Sequence, residues 1–266
     1  MKTRVIVTRP EREAQAWVHD LAAAGLDAQA LPLMDIRPVA DTSALQTAWQ
    51  HLGDYAAVMF VSANAVQGFF AARPASAQSF GVADAIKTRA WATGPGTAAA
   101  LQGAGMALAC VDSPESDAAQ FDSEALWGRV GATLQRGARV LIVRGSDGPK
   151  SQAAEGVGRD WLAKQIVEAG ALVDKVVSYQ RVRPVLDAAQ MQLAREAAAD
   201  GSVWLFSSSE ALAHLRASLP AQDWRGARAV ATHARIAEAV RQAGFGRVVE
   251  SRPALDYILG SIESMR

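Results

Sequence analysis

Two stretches, Leu31–Val39 (LPLMDIRPV) and Val176–Val185 (VVSYQRVRPV), decide how the rest of the chain is read. Each follows a glycine, Gly25 or Gly170, placed to end a helix. Each is largely apolar and closes on Arg-Pro-Val, at Arg37-Pro38-Val39 and Arg183-Pro184-Val185. A residue before proline is pushed out of the helical region, so both stretches are expected to stay extended to their ends. Two such connectors predict two places where the backbone leaves one lobe for another. The functional site is expected in the cleft between those lobes.

Working outward, strands alternate with helices. Val5-Ile6-Val7 reads as a strand that stops at Thr8-Arg9-Pro10. A helix follows, with Pro10, Glu11 and Glu13 suiting its first turn and Trp17, Leu21 and Ala24 as its buried stripe. Asp41, Thr42 or Ser43 caps a second helix carrying Leu45, Trp49 and Leu52 on one face. Strands are expected at Ala56–Val61, Ala90–Ala92 and Met106–Val111, with Cys110 a buried small hydrophobe in the last of them. Ser113–Asp122 reads as a polar loop and Ser123–Val130 as a short helix. Val140–Val143 is expected to stop at Arg144-Gly145, ahead of a loop with Gly148-Pro149 and Gly156 and a helix with Trp161, Leu162 and Ile166. Later strands are Val203–Phe206, Ala229–Ala231 and Val248-Val249, with a final helix from about Pro253. Such alternation predicts an α/β fold with parallel sheets flanked by helices.

The pattern also repeats. Arg9 recurs as Arg144 and Gly25 as Gly170. FVSANAV (Phe60–Val66) recurs as FSSSEAL (Phe206–Leu212), and RAWATGPGTAAALQGAG (Arg89–Gly105) recurs without a gap as RAVATHARIAEAVRQAG (Arg228–Gly244). Every match lies about 140 residues from its partner and all keep the same order, which indicates an ancestral duplication and two similar lobes.

Composition narrows the function. The chain has 266 residues, half of them hydrophobic, enough for two medium domains. Lys plus Arg number 27 and Asp plus Glu 27, so no basic excess points to nucleic acid. A single cysteine excludes an internal disulfide and a cysteine metal cluster. The opening MKTRVIVTRP lacks the apolar core of a signal peptide, and no stretch approaches the ~18 apolar residues of a membrane span. The expectation is a cytoplasmic protein without membrane attachment, monomeric by default.

The repeated residues gather at strand-to-helix turns, where ligands sit in open α/β sheets. These turns are Thr8-Arg9, Ser62-Ala63-Asn64, Thr93 to Thr97, Arg144-Gly145, Ser207-Ser208-Ser209 and Thr232-His233. Helix-start N–H groups with hydroxyls beside them make an anion-binding surface without net charge. Plainer roles compete: Ser62, Ser208 and Thr232 are good helix caps, Gly94-Pro95-Gly96 makes a tight turn, and Arg9 and Arg144 have the option of pairing with a nearby acid. No Walker loop or dinucleotide fingerprint is present, and no nucleophile elbow or metal site is visible. The histidines show no i, i+4 pairing with an acid; His19, His51 and His214 read as helix-surface residues, and His233 alone falls at a turn. Tyr179 lies in the second connector, with a core tyrosine as its plainer reading.

Taken in order, these residues resemble the uroporphyrinogen-III synthase family. The matching features are Thr8-Arg9-Pro10, Leu31-Pro32-Leu33, Phe60 to Val66, Gly94-Pro95-Gly96-Thr97, Val143-Arg144-Gly145, Tyr179-Gln180-Arg181, Phe206 to Ser209, and Ala231-Thr232-His233. The resemblance implies two flavodoxin-like lobes joined by a two-stranded connector. One is discontinuous, residues 1–36 with 184–266; the other is 37–183, with connectors near 31–39 and 172–185. It further implies cyclisation of hydroxymethylbilane, with inversion of its last ring and loss of water, and no cofactor. Tyr179 is the implied proton donor. Thr8, Arg9, Ser62, Asn64, Gly94, Thr97, Arg144, Gly145, Ser207, Ser208, Ser209, Thr232 and His233 are the implied substrate contacts. A transient contact with the upstream bilane-forming enzyme belongs to the same picture.

There are departures from the family pattern. Thr232-His233-Ala234-Arg235 stands where many members have Gly-Pro-x-Thr, which offers His233 or Arg235 in place of a hydroxyl. Ser146–Gly158 is longer than usual, and a mobile insertion is expected there. The competing readings are a non-catalytic two-lobed binding protein for a small polyanion and a regulatory domain that senses a tetrapyrrole.

Overall fold

The computed structural model describes residues 3–77, 80, 87–115, 121–146 and 161–265. Its elements run in chain order β1 (Arg4–Val7), α1 (Glu11–Ala23), β2 (Asp27–Ala30), β3 (Asp35–Pro38), α2 (Ser43–Gln50), β4 (Ala57–Phe60) and α3 (Ala63–Ala71). Next come β5 (Arg89–Ala92), α4 (Pro95–Gly103), β6 (Val111–Asp112), α5 (Ser123–Val130), β7 (Arg139–Ser146), α6 (Trp161–Glu168) and β8 (Leu172–Val182). The chain ends with α7 (Ala188–Ala197), β9 (Val203–Phe206), α8 (Ser209–Ser218), β10 (Arg228–Ala231), α9 (Ala234–Gln242), β11 (Arg247–Glu250) and α10 (Leu255–Glu263).

Two compact units result, Met1–Asp35 with Val182–Arg266, and Ile36–Arg181. The first is built on a sheet of order β11-β10-β9-β1-β2, the second on a sheet of order β3-β8-β7-β4-β5-β6. Neighbours from β11 to β2, and from β8 to β6, pair in parallel. The sequence repeat maps β1 onto β7, β2 onto β8, β9 onto β4 and β10 onto β5. The order β10-β9-β1-β2 therefore reappears as β5-β4-β7-β8, and the duplication read from the sequence is a duplication of topology.

Each sheet is buried on both faces, as parallel sheets are, and alternate residues feed opposite cores. In the first unit Ile6, Trp204 and Phe206 face one core and Val5, Val7 and Leu205 the other. In the second, Val58, Phe60 and Val143 face one core and Met59, Trp91 and Ile142 the other. The duplicated Phe60 and Phe206 are both fully buried, each in an aromatic cluster, with Phe69 and Phe70 around one and Trp204 and Phe245 around the other. The matched Gly25 and Gly170 both hold positive φ, 86° and 84°, at the exits of α1 and α6. A side chain there would be strained, which is why glycine stands at both.

Several expectations need correction. Of the first connector, Leu31–Met34 is buried but forms no strand, and β3 occupies Asp35–Pro38 only. Of the second connector, residues 176–182 belong to a long strand, β8, that already begins at Leu172, and Arg183-Pro184-Val185 lies beyond its end. β7 does not stop at Arg144-Gly145: it runs through to Ser146, with a bulge between those two residues where β8 continues to pair. Met106–Val111 is not a strand. Leu108–Cys110 forms a 3-10 turn, β6 is confined to Val111–Asp112, and Cys110 is only partly buried. Ala24 is exposed, and the buried side of α1 runs through Ala14 and Leu21. His214 is not a plain surface residue. Its Nδ1 lies 2.7 Å from the Leu33 carbonyl oxygen, and its Nε2 lies 4.0 Å from Glu210, an i, i+4 acid partner. The segment expected to be a mobile insertion lies, from residue 147 to residue 158, outside the described residues, as do Gly148, Pro149 and Gly156 and part of the loop before Asp122.

Candidate functional site

The second unit brings three of the expected residues together. Tyr179 sits in β8 with its ring in the core around Phe60 and Phe69. Its hydroxyl lies 3.1 Å from the Ser62 hydroxyl. Ser62 immediately follows β4 and is the N-cap of α3, where its Oγ accepts a hydrogen bond from the Ala65 N–H at 3.2 Å. Gly145, the register partner of Tyr179 beyond the bulge, forms the floor under the ring. A Cβ on Gly145 would fall 2.5 Å from the ring carbon that carries the hydroxyl, closer than carbon atoms tolerate, so only glycine leaves the ring its seat. Gly145 is thereby matched to the tyrosine rather than to open space.

The approach of α3 to β8 is set by one further glycine. A Cβ on Gly68 would run into the Ser178 backbone carbonyl, and beside it the Ser178 hydroxyl donates to the Ala65 carbonyl at 3.2 Å. α3 is thus held against the residue before Tyr179 at the same turn that carries Ser62. Gly68 and Ser178 escaped the sequence reading. The available signal was a glycine in the middle of an apolar helix, which commonly marks close packing.

The remaining residues of this unit sit at neighbouring turns. Arg144 is half-buried in β7, and its Nε is buried without a hydrogen-bond partner among the described residues. Asn64 stands in the first turn of α3. Gly94 is the N-cap of α4 and supplies no side-chain acceptor, while Pro95 takes the first helical position. The first turn of α4 therefore keeps its N–H groups uncapped by side chains, the arrangement that suits an anion. Thr97 is buried in that turn, and Thr93 spends its hydroxyl on the Val61 carbonyl at 3.3 Å.

In the first unit the corresponding groups are more fully spent on structure. Thr8 is buried and donates its hydroxyl to the Leu205 carbonyl at 2.7 Å, tying β1 to β9. Arg9 stacks over Trp17 at 5.0 Å and pairs with Glu13 at 3.4 Å. Burial pushes its pKa below the ordinary arginine value, and the Glu13 carboxylate opposes that shift. Ser208 caps α8, its Oγ accepting from Glu210 and Ala211 N–H at 3.1 and 3.5 Å, with Ser207 before it and Ser209 opening the helix. The Thr232 N–H donates to the Phe206 carbonyl at 3.0 Å. His233 caps α9, its Nδ1 accepting the Arg235 N–H at 3.1 Å, which puts the ring proton on Nε2. Where α4 is left open by Gly94, the matched α9 is closed by an imidazole.

Among the described residues no group of three or more His, Cys, Asp or Glu side chains could hold a metal ion. No helix among them is long and apolar enough to cross a membrane. The arrangement can bind carboxylates at turn amides and one arginine, and it places one phenol beside a helix start.

Comparison with known proteins yields one family. The model of uroporphyrinogen-III synthase (HemD) matches residues 15–259. A uroporphyrinogen-III synthase of Chlorobaculum parvum is 28% identical over 190 residues, covering 71% of this chain and 68% of that protein. Among solved structures, the uroporphyrinogen-III synthetase of Helicobacter pylori superposes with a TM-score of 0.58 at 16% identity, covering 100% of both chains. A mutant uroporphyrinogen III synthase of Thermus thermophilus gives a TM-score of 0.54 at 16% identity, covering 99% of this chain and 98% of the other.

Proposed function

Because the chain belongs to the uroporphyrinogen-III synthase family, we propose that it cyclises hydroxymethylbilane to uroporphyrinogen III, with Tyr179 as the proton donor. Membership of the family across residues 15–259 carries the reaction. What supports the tyrosine is that its hydroxyl, on a ring buried in the core, lies 3.1 Å from the Ser62 hydroxyl at a helix cap.

Three physical demands follow from the reaction. The substrate carries many carboxylates, and the uncapped first turn of α4 together with Arg144 offers amide and guanidinium donors to them. Leaving of the hydroxyl group requires a proton, which the Tyr179 phenol supplies as the carbon–oxygen bond breaks and positive charge spreads into the pyrrole. Ring closure requires the two ends of a floppy chain to meet, an effect of orientation that accounts for much of the acceleration when a weak acid such as a phenol is the donor. The remaining contacts are assigned to Asn64, Gly94, Thr97, Ser207, Ser209, Thr232 and His233, mainly through turn N–H groups. Thr8, Ser208 and Arg9 serve chiefly to build their own turns.

The setting assigned to this chemistry is the cytoplasm, with a transient contact to the bilane-forming enzyme that supplies the substrate. The test of function generates hydroxymethylbilane in situ, adds the protein, oxidises the products and separates type I from type III porphyrins. A shift from type I to type III is expected. Type I alone, from folded protein, would overturn the reading.

A further inference from the structure

Ser62 is an expected substrate contact, but its hydroxyl is already engaged at both ends. Its oxygen accepts the Ala65 N–H at 3.2 Å, and its other neighbour is the Tyr179 hydroxyl at 3.1 Å. A serine hydroxyl has one hydrogen to give and two lone pairs. With the oxygen turned toward the first-turn amides, its hydrogen points away from the positive end of α3. The tyrosine oxygen stands within hydrogen-bond distance of it, at a separation that lets either hydroxyl donate.

We propose that Ser62 is a positioning residue for Tyr179, donating its hydroxyl hydrogen to the tyrosine oxygen so that the phenol's own hydrogen is free for the leaving hydroxyl group. This rests on the proton-donor reading of Tyr179 above. In the bond-breaking step the phenol O–H bond breaks and its proton joins the departing hydroxyl to make water. The electron pair of the carbon–oxygen bond leaves with that oxygen, and positive charge develops on the substrate. Negative charge develops on the tyrosine oxygen, where the bond from Ser62 strengthens, and the field of α3 reaches it through the serine. The proton released when the macrocycle closes restores the phenol. Gly145 below the ring and Ser178 tied to the Ala65 carbonyl fix where that oxygen lies.

The experiment measures kcat and KM for type III product in Ser62→Ala, Ser62→Thr, Ser62→Asp, Tyr179→Phe and the Ser62→Ala/Tyr179→Phe double variant. Ser62→Ala is expected to lose at least about tenfold in kcat with KM unchanged, the scale of one hydrogen bond to a charge-bearing oxygen. Ser62→Thr keeps cap and donor and is expected to restore turnover. Ser62→Asp keeps the acceptor for Ala65 but has no hydrogen to give. It is expected to fold as the wild type does and to stay as slow as Ser62→Ala, which separates the donor role from helix capping. The double variant is expected to be no slower than Tyr179→Phe alone, because Ser62 acts through the tyrosine. Multiplying losses in the double variant, a rise in KM alone, or full turnover in Ser62→Asp would overturn the assignment. If Tyr179→Phe itself turns over at the wild-type rate, the proton-donor reading and this one fail together. If it is slow while Ser62→Ala is not, only this one fails.

Discussion

Helices α3 and α8 begin at matched serines, Ser62 and Ser208, yet they meet the backbone beneath them by different means. Counting on from the matched Phe60 and Phe206, Gly68 in α3 corresponds to His214 in α8. Counting on from Gly25 and Gly170, Leu33 corresponds to Ser178, and Met34 to Tyr179. In one unit a glycine lets α3 settle onto the Ser178 carbonyl, and the serine hydroxyl reaches a tyrosine. In the other a histidine fills the same contact and hydrogen-bonds the Leu33 carbonyl at 2.7 Å, with a buried methionine next along the chain. Duplication kept the strand order and both caps. The difference of one side chain at the helix-to-strand contact accompanies a polar partner for Ser62 and, among the described residues, none for Ser208 beyond its own helix start.

The largest effect expected from breaking this asymmetry is at the phenol. Tyr179→Phe should lower the rate of type III formation by on the order of 10²-fold, within the range of positioned acid catalysis, with little loss of stability. Met34→Leu, a swap of similar volume at the matched position, should leave turnover unchanged. Parallel isomer assays on the two variants decide whether the chemistry belongs to one unit only.

Gly68→Ala comes next. The added methyl group must push α3 off β8, a cost of ~1–3 kcal/mol for overpacking. Because the same movement draws Ser62 away from Tyr179, turnover should fall along with the midpoint of chemical denaturation. Wild-type stability in this variant would show that the contact is looser than the backbone positions imply.

Much of this was legible in the sequence, and the rest was hidden for physical reasons. The repeat was visible because Arg9, Gly25, Phe60 and Arg89 recur in order, and the parallel sheets followed from strands that are apolar on both faces. β2, with the sequence DAQA, was missed because no apolar pattern marks it. It exists by pairing with β1, and all four of its residues are half-buried. α7 was also missed, although Asp187 and Gln190 form a capping box that the sequence displays. The bulge at Arg144-Gly145 carried no local signal, since it arises where β7 and β8 change register. At the site, the serines and Tyr179 could be picked out by type and position. That Ser62 and Tyr179 touch could not, because the contact spans most of the unit's chain and depends on Gly68 and Gly145 having no side chains.

The two matched arginines offer a subtler break. Both bury an Nε that finds no acceptor among the described residues, and Arg9 in addition pairs with Glu13 and stacks on Trp17. Arg144→Ala should weaken binding of uroporphyrinogen III by about tenfold, the scale of one charged hydrogen bond, as read by anaerobic titration. Arg9→Ala should instead cost ~0.5–1 kcal/mol of stability through the lost stacking on Trp17. Equal losses of affinity in the two variants would mean that the duplicated arginines kept a shared role.

The smallest expected effect is at His214, and it tests whether the histidine is there to occupy space or to act. His214→Ala removes the partner of the Leu33 carbonyl and leaves a gap where α3 has none, so α8 should be destabilised by ~1 kcal/mol, the net worth of one such bond. Turnover should stay at the wild-type level below the unfolding transition, because the matched position in the other unit does its work by absence of a side chain. A loss of type III formation without loss of stability would instead place His214, with Glu210 beside it, in the path of a proton. Both units would then carry chemistry at the same helix-to-strand contact, one through a phenol and one through an imidazole.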